Sequence, residues 1–182
     1  MATQLRPVSE PICHRFFLGL MPPPEVAARI GALRDSLSEP GSSVADDRLH
    51  ITLLSLPDFT ELPEGLAETI VEAAAEVEAP GFPIVLDRLI SGPHSVLLCP
   101  SESLDGLRMF RERLGFTLMR AGLGLRLGRR FNPHVTLLYN SWRTYDDQLD
   151  DPIHWRAEDF VLIHSLVGLT EHRELGRWPL KG

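Results

Sequence analysis

Cysteine is scarce in this sequence. Its two cysteines, Cys13 and Cys99, form no Cys-x-x-Cys pair. That argues against a disulfide framework and makes a reducing cytoplasm the expected compartment. Long hydrophobic runs are missing as well. The N-terminal run Phe16–Met21 lacks the length, basic flank and small-residue cleavage site of a secretory signal. No run approaches the ~18–20 apolar residues of a membrane span. An excess of positive charge is also absent. The formal net charge of −7 disfavours broad electrostatic binding to long nucleic acid, while leaving room for a local basic pocket around one phosphate. What is present is a hydrophobic fraction of 43% in 182 residues, enough for the core of one compact domain or of two small lobes.

The elements follow from hydrophobic period and turn chemistry. Residues 14–21 read as a buried strand. The prolines at 22–24 open a helix over 24–37, whose Val26, Ile30, Leu33 and Leu37 recur at helical spacing. A polar loop over 38–47 leads to a strand ending near Pro57. Residues 62–79 read as a helix with a solvated stripe of Glu64, Glu68, Glu72 and Glu76. Strands are expected at 82–90 and 94–100, and a third helix at 103–123. A basic loop at 126–130 precedes another strand. Residues 142–152 read as an irregular acidic loop, 159–169 as a strand and 176–180 as a short final one.

Two strands share an unusual feature. "RLHITLLSL" (48–56) and "NPHVTLLYN" (132–140) both contain His-x-Thr-Leu-Leu. Each sits at the end of a strand, helix, loop, strand series, so the chain reads as a duplicated unit. The interval from His50 to His134 is far longer than the ~20–50-residue period of solenoid repeats. The expected fold is α+β and bilobal, with two antiparallel sheets facing across a central cleft and helices outside. One domain is expected over 1–182, with sequence halves at roughly 12–90 and 91–182.

In a strand, residues two apart share a face. His50 and Thr52 therefore point one way and Ile51 and Leu53 the other, and His134 and Thr136 repeat the arrangement. A pseudo-two-fold relation brings two imidazoles and two hydroxyls around one small ligand. That set suits displacement at phosphorus, which needs a base on the attacking side and an acid on the leaving side. Histidine serves as either near neutral pH. The threonine hydroxyls can donate to non-bridging oxygens as charge develops there. The scheme requires no metal and no cofactor.

These motifs resemble the paired H-x-T-x signature of the two-histidine phosphoesterase superfamily. Within it the chain is similar to the bacterial and archaeal 2'-5' RNA ligase family, also described as RNA 2',3'-cyclic phosphodiesterases. The similarity runs from "RFFLGL" to "GRWPL" and includes the late strand "FVLIHSLVG" with Ser165. The resemblance implies metal-independent opening of a 2',3'-cyclic phosphate to a 2'-phosphate, with reversible 2'-5' RNA ligation as a second activity of the same histidines. It implies that His50 is the general acid to the leaving 3'-oxygen, that His134 is the general base for water, and that Thr52 and Thr136 hold the phosphate. Many relatives carry an arginine shortly after the second motif. Here Tyr139 stands there, with Arg143 further on, and Arg130 just before the motif is the substitute cation.

Further contacts expected at the substrate are Arg130, Tyr139, His164 and Ser165. Phe59, Trp142 and Tyr145 have rings able to stack on a base, with core or surface packing the expected role of each. The expected partner is an RNA 3' end or a small cyclic-phosphate nucleotide, bound by a cytoplasmic monomer with no membrane association. Two other readings compete. One is a non-catalytic nucleotide-binding module on the same fold. The other is a zinc site, which the absence of helical i, i+4 histidines and of paired cysteines near the motifs disfavours.

Overall fold

The computed structural model describes residues 13–37, 40–125, 131–167, 169 and 171–181. Its strands are β1 (Cys13–Leu20), β2 (Ser42–Ser43), β3 (Ile51–Ser55), β4 (Phe82–Gly92), β5 (Ser95–Cys99), β6 (Val135–Tyr139), β7 (Asp146–Ala157), β8 (Asp159–Val167) and β9 (Glu171–Pro179). Its helices are α1 (Pro24–Ser36), α2 (Leu66–Ala75) and α3 (Asp105–Arg120). The class is the expected mixture of helix and antiparallel sheet. The strands, however, form one hydrogen-bonded sheet in place of two separate ones, in the order β7-β4-β5-β6-β3-β1-β8-β9, with β2 added to β6. The reason is local. β3 and β6 meet at the pair Ile51–Val135, and that contact fuses two four-stranded arrays.

The arrays do not follow the halves of the sequence. Residues 90 and 91 both lie inside β4, which hairpins onto β5. The terminal strands pair with one another, β1 with β8 and β8 with β9, while β4 to β7 form the other array. Reading outward from the junction, β3-β1-β8-β9 on one side answers β6-β5-β4-β7 on the other.

The helices bury one face of this sheet. Phe16, Leu18, Leu20, Ile51 and Val135 join Ile30 of α1, Ile70 of α2, and Leu107 and Phe110 of α3 in a single core. Glu64, Glu68, Glu72 and Glu76 are exposed, as a solvated stripe requires. The expected acidic loop at 142–152 is instead largely strand, since β7 begins at Asp146. β7 is an edge strand whose first half is mostly exposed, so its carboxylates stay hydrated and deter pairing with another chain. β9 likewise begins at Glu171, earlier than its hydrophobic tail suggests.

One irregularity recurs in both arrays. β3 pairs with β1 through Leu54–Leu18 and Thr52–Gly19, leaving Leu53 without a partner. β6 pairs with β5 through Leu138–Val96 and Thr136–Leu97, leaving Leu137 without one. The residue after each motif threonine is thus the extra residue of a β-bulge. A bulge frees a carbonyl that buried surroundings require to be satisfied. Arg111 Nε of α3 donates to the Leu53 carbonyl at 2.9 Å, and the Val44 amide donates to the Leu137 carbonyl at 3.0 Å. Arg111 also lies over the Phe131 ring, 4.5 Å from its centroid, just ahead of the second motif. The segment bearing Val44 is held to α1 by Arg34, which donates to the Val44 carbonyl and to Asp46 Oδ1.

Arg111→Met keeps most of the side-chain bulk but leaves the Leu53 carbonyl without its donor. The expected cost is about 1–3 kcal/mol, read as a lower urea midpoint with an unchanged slope. Retention of the wild-type midpoint would show that the bulge does not depend on this bond.

Candidate active site

The burial of Ile51 and Val135 against the helices fixes where their neighbours go. His50, Thr52, His134 and Thr136 face the opposite side of the sheet. The register at the β3–β6 junction sets His50 against Thr136 and Thr52 against His134. Directly opposed side chains start about 4.5–5.5 Å apart and diagonal ones about 7–8 Å. The diagonal pair here is His50 and His134.

Both imidazoles are anchored alike. His50 Nδ1 donates to the Arg48 carbonyl at 2.7 Å, and His134 Nδ1 donates to the Asn132 carbonyl at 2.9 Å. A carbonyl oxygen can only accept, so Nδ1 carries the proton in each ring and Nε2 is left for chemistry. The acceptor lies two residues upstream in both cases, so each motif carries its own orienting group.

The bulges extend this face. By simple alternation, Tyr139 would share the buried side of Leu137. The extra residue shifts the phase, and Ser55 and Tyr139 both line a cleft of about 300 Å³ with His50 and Thr52. Tyr139 is 50% exposed there. Ser165, opposite Arg15 in the β1–β8 ladder, lines the same cleft. His164 does not. It is adjacent in sequence and therefore on the other face, where it is buried, stacked on Phe16 at 4.7 Å, and within 2.9 Å of His14 Nδ1. The expected substrate contact at His164 is thus corrected to a core position. Arg130 lies outside the described residues. Of the three aromatic candidates, Phe59 packs against the core and Tyr145 is buried, the packing roles expected of them. Trp142 is 79% exposed, with its ring edge-on to His94.

Among the cleft residues that sequence reading missed are His172 and Arg48. His172 enters from β9, opposite Ser165, and meets His50 edge-on with 5.9 Å between centroids. Its signal was hidden because the hydrophobic pattern places β9 too late. Arg48 lines the same cleft, and its spacing from His50 and Thr52 continues the i, i+2 series. Phe17 stacks on His50 with 4.6 Å between centroids and joins Met21, Val161 and Ile163 in a small apolar cluster on this face.

These neighbours set the charge of the cleft. Burial is the main cause that pushes His50 below its ordinary pKa. The Arg48 carbonyl works against it, and the nearby His134 and Arg48 charges reinforce it. His172 is pushed down to about 4, first by burial and then by Arg48 and His50. Both rings are therefore neutral at pH 7. Among the described residues, no group of three His, Cys, Asp or Glu side chains converges to hold a metal ion. No helix among them is long and apolar enough to cross a membrane.

The family model for the 2'-5' RNA ligase superfamily matches residues 22–168. No curated protein matches the chain. Among solved structures, the chain is similar to Escherichia coli LigT in its apo form, at 25% identity over 94% of this chain and 99% of that one, with a TM-score of 0.79. LigT complexed with 3'-AMP gives 24%, 94%, 99% and 0.77 in the same terms. The Thermus thermophilus protein TT0787 gives 22%, 92%, 98% and 0.72.

The neutral state of His172 makes stability depend on pH. Its pKa is about 4 in the folded chain, against an ordinary value of about 6.5 once unfolded. Protons therefore favour the unfolded chain. The contribution of neutral His172 is complete above about pH 6.5 and is lost as pH falls toward 4. The urea midpoint is expected to fall between pH 7 and pH 5, and to fall less in His172→Gln. Equal falls in the two proteins would contradict the assignment.

Proposed function

The chain belongs to the 2'-5' RNA ligase superfamily, and from that premise we propose that it is a metal-independent phosphoesterase that opens a 2',3'-cyclic phosphate to a 2'-phosphate. The observation that carries this reading is the pair of imidazoles on adjoining strands, each anchored through Nδ1 with Nε2 left for chemistry. His134 Nε2 takes a proton from water as the water oxygen bonds to phosphorus. The bond from phosphorus to the 3'-oxygen breaks, and His50 Nε2 gives that oxygen a proton. Thr52 and Thr136 donate to the non-bridging oxygens, where charge shifts during the displacement. Water and the cyclic diester become a 2'-phosphomonoester and a 3'-hydroxyl. The protons then re-equilibrate with solvent. With an RNA 5'-hydroxyl in the place of water, the same displacement joins two strands through a 2'-5' linkage, and its reversal cleaves that linkage.

Burial disfavours a protonated His50. An anionic phosphate alongside offsets this, so the acid acquires its proton as substrate binds. The substrate is an RNA 3' end or a small nucleotide with one phosphate at the centre. The net charge of −7 favours such a local contact over a long backbone track. LigT has been crystallised with 3'-AMP, ATP and NADP+, which supports a nucleotide-sized ligand for the shared fold. The two four-stranded arrays, each with its motif and bulge, are on this reading the lobes of one duplicated domain.

Hydrolysis of a nucleoside 2',3'-cyclic phosphate is expected to proceed undiminished in EDTA. His50→Ala and His134→Ala are each expected to lose about 10²–10⁴-fold in kcat while unfolding as the wild type does. Loss of activity in EDTA, or wild-type rates in both variants, would contradict the scheme. The pH profile gives a further check. The free protein sets kcat/KM and the complex sets kcat. The alkaline limb, where His50 loses its proton, is expected at a higher pH in kcat than in kcat/KM. Coincident limbs would contradict substrate-linked protonation.

A further inference from the structure

We propose that Arg48 is the cation that receives the substrate's phosphate and that His172 is the positioning residue that holds its guanidinium in the cleft. The proposal builds on the phosphoesterase reading of the site and assigns two residues that neither motif contains.

Among the described residues two arginines line the cleft, and they differ in what their charge already meets. Arg15 is engaged by Asp58 in a two-pronged pair, Nε to Oδ1 at 2.6 Å and Nη2 to Oδ2 at 2.6 Å. Its charge is balanced and its fork is occupied. Arg48 makes no ion pair among the described residues, and its Nε is buried there without a hydrogen-bond partner. Its Nη2 lies 3.3 Å from His172 Nε2. A buried guanidinium donor with no acceptor is costly. The acceptor that matches such a fork best is a phosphate or a carboxylate.

His172 fits the holding role. A guanidinium only donates, so the contact requires His172 Nε2 to accept and the ring to be neutral. The ring is wedged edge-on between Phe17, at 5.5 Å, and His50, at 5.9 Å. The neutral state follows from burial and from Arg48 itself. The backbone of Arg48 meanwhile accepts the Nδ1 proton of His50. One residue therefore orients an imidazole through its carbonyl and brings positive charge to the same cleft through its side chain. The corresponding place before His134 is Asn132, which orients its histidine in the same way but carries no charge. Among the described residues, the position two before each motif histidine is thus charged in the first motif and neutral in the second.

The test measures binding of adenosine 2'-monophosphate by calorimetry beside turnover of the 2',3'-cyclic nucleotide. A hydrogen bond to a charged group contributes about 1.5–3 kcal/mol, so Arg48→Gln is expected to raise Kd by about 10–100-fold and to raise KM. Arg48→Lys keeps the charge without the fork and is expected to fall between. It also serves if the glutamine variant fails to fold. Arg29→Gln removes one positive charge on α1, away from the cleft, and leaves Kd unchanged. His172→Phe keeps an aromatic ring but removes the acceptor, and is expected to weaken binding. Because His172 acts through Arg48, adding His172→Phe to Arg48→Gln costs nothing further. A Kd within twofold of wild type in both Arg48 variants would overturn the proposal, as would a His172→Phe loss that adds in full. If wild type binds the monophosphate through Arg48 but turns over no cyclic phosphate, the hydrolase reading fails and this inference stands. If Arg48→Gln hydrolyses with unchanged KM and Kd, the inference fails and the hydrolase reading stands.

Discussion

The pairing of Ile51 with Val135 is the contact on which the site depends. It is the single register pair between β3 and β6, and it joins two four-stranded arrays into one sheet. Both residues are fully buried against the helices. Their burial turns His50, Thr52, His134 and Thr136 to the other face, and their register sets each histidine opposite the other motif's threonine. A one-residue slip here would turn one motif's polar pair into the core. Hydrophobic burial on one face thus specifies the polar constellation on the other.

The junction is reinforced by exchange between the arrays. Each motif is followed by a bulge, and each bulge carbonyl is satisfied from elsewhere in the chain: Leu53 by Arg111 of α3, and Leu137 by Val44 ahead of the first motif. Arg111 then reaches Phe131, on the approach to the second motif. The approach to the first motif is tied to α1 through Arg34. The bulges also bring Ser55 and Tyr139 onto the cleft face, so one backbone irregularity serves both packing and site.

Much of this was legible in the sequence. The i, i+2 spacing in "HITL" and "HVTL" placed the polar pairs on one face, and the repeated strand and helix series placed them together. Three features escaped, each for a physical reason. The bulges carry no residue signature here, because Leu53 and Leu137 look like ordinary strand leucines. They therefore hid the route by which Tyr139 reaches the cleft. β7 and the start of β9 lie at the two edges of the sheet, where hydrated charged side chains suppress the apolar pattern that marks a strand. With β9 truncated, His172 had no face, and its company with Arg48 and His50 could not be seen. His164 shows the converse. Proximity in sequence to Ser165 suggested a shared role, while strand alternation sends the two to opposite faces.

The central claim is that the four motif side chains bracket one phosphate with both Nε2 atoms facing it. A crystal structure of the protein with a nucleoside 2'-monophosphate tests this most directly. The expected result is a phosphate within about 2.7–3.2 Å of Nε2 of His50 and of His134, with both threonine hydroxyls donating to it and the two Nδ1–carbonyl bonds intact. A phosphate seated away from the β3–β6 junction, or bound with either Nδ1 turned toward it, would contradict the account.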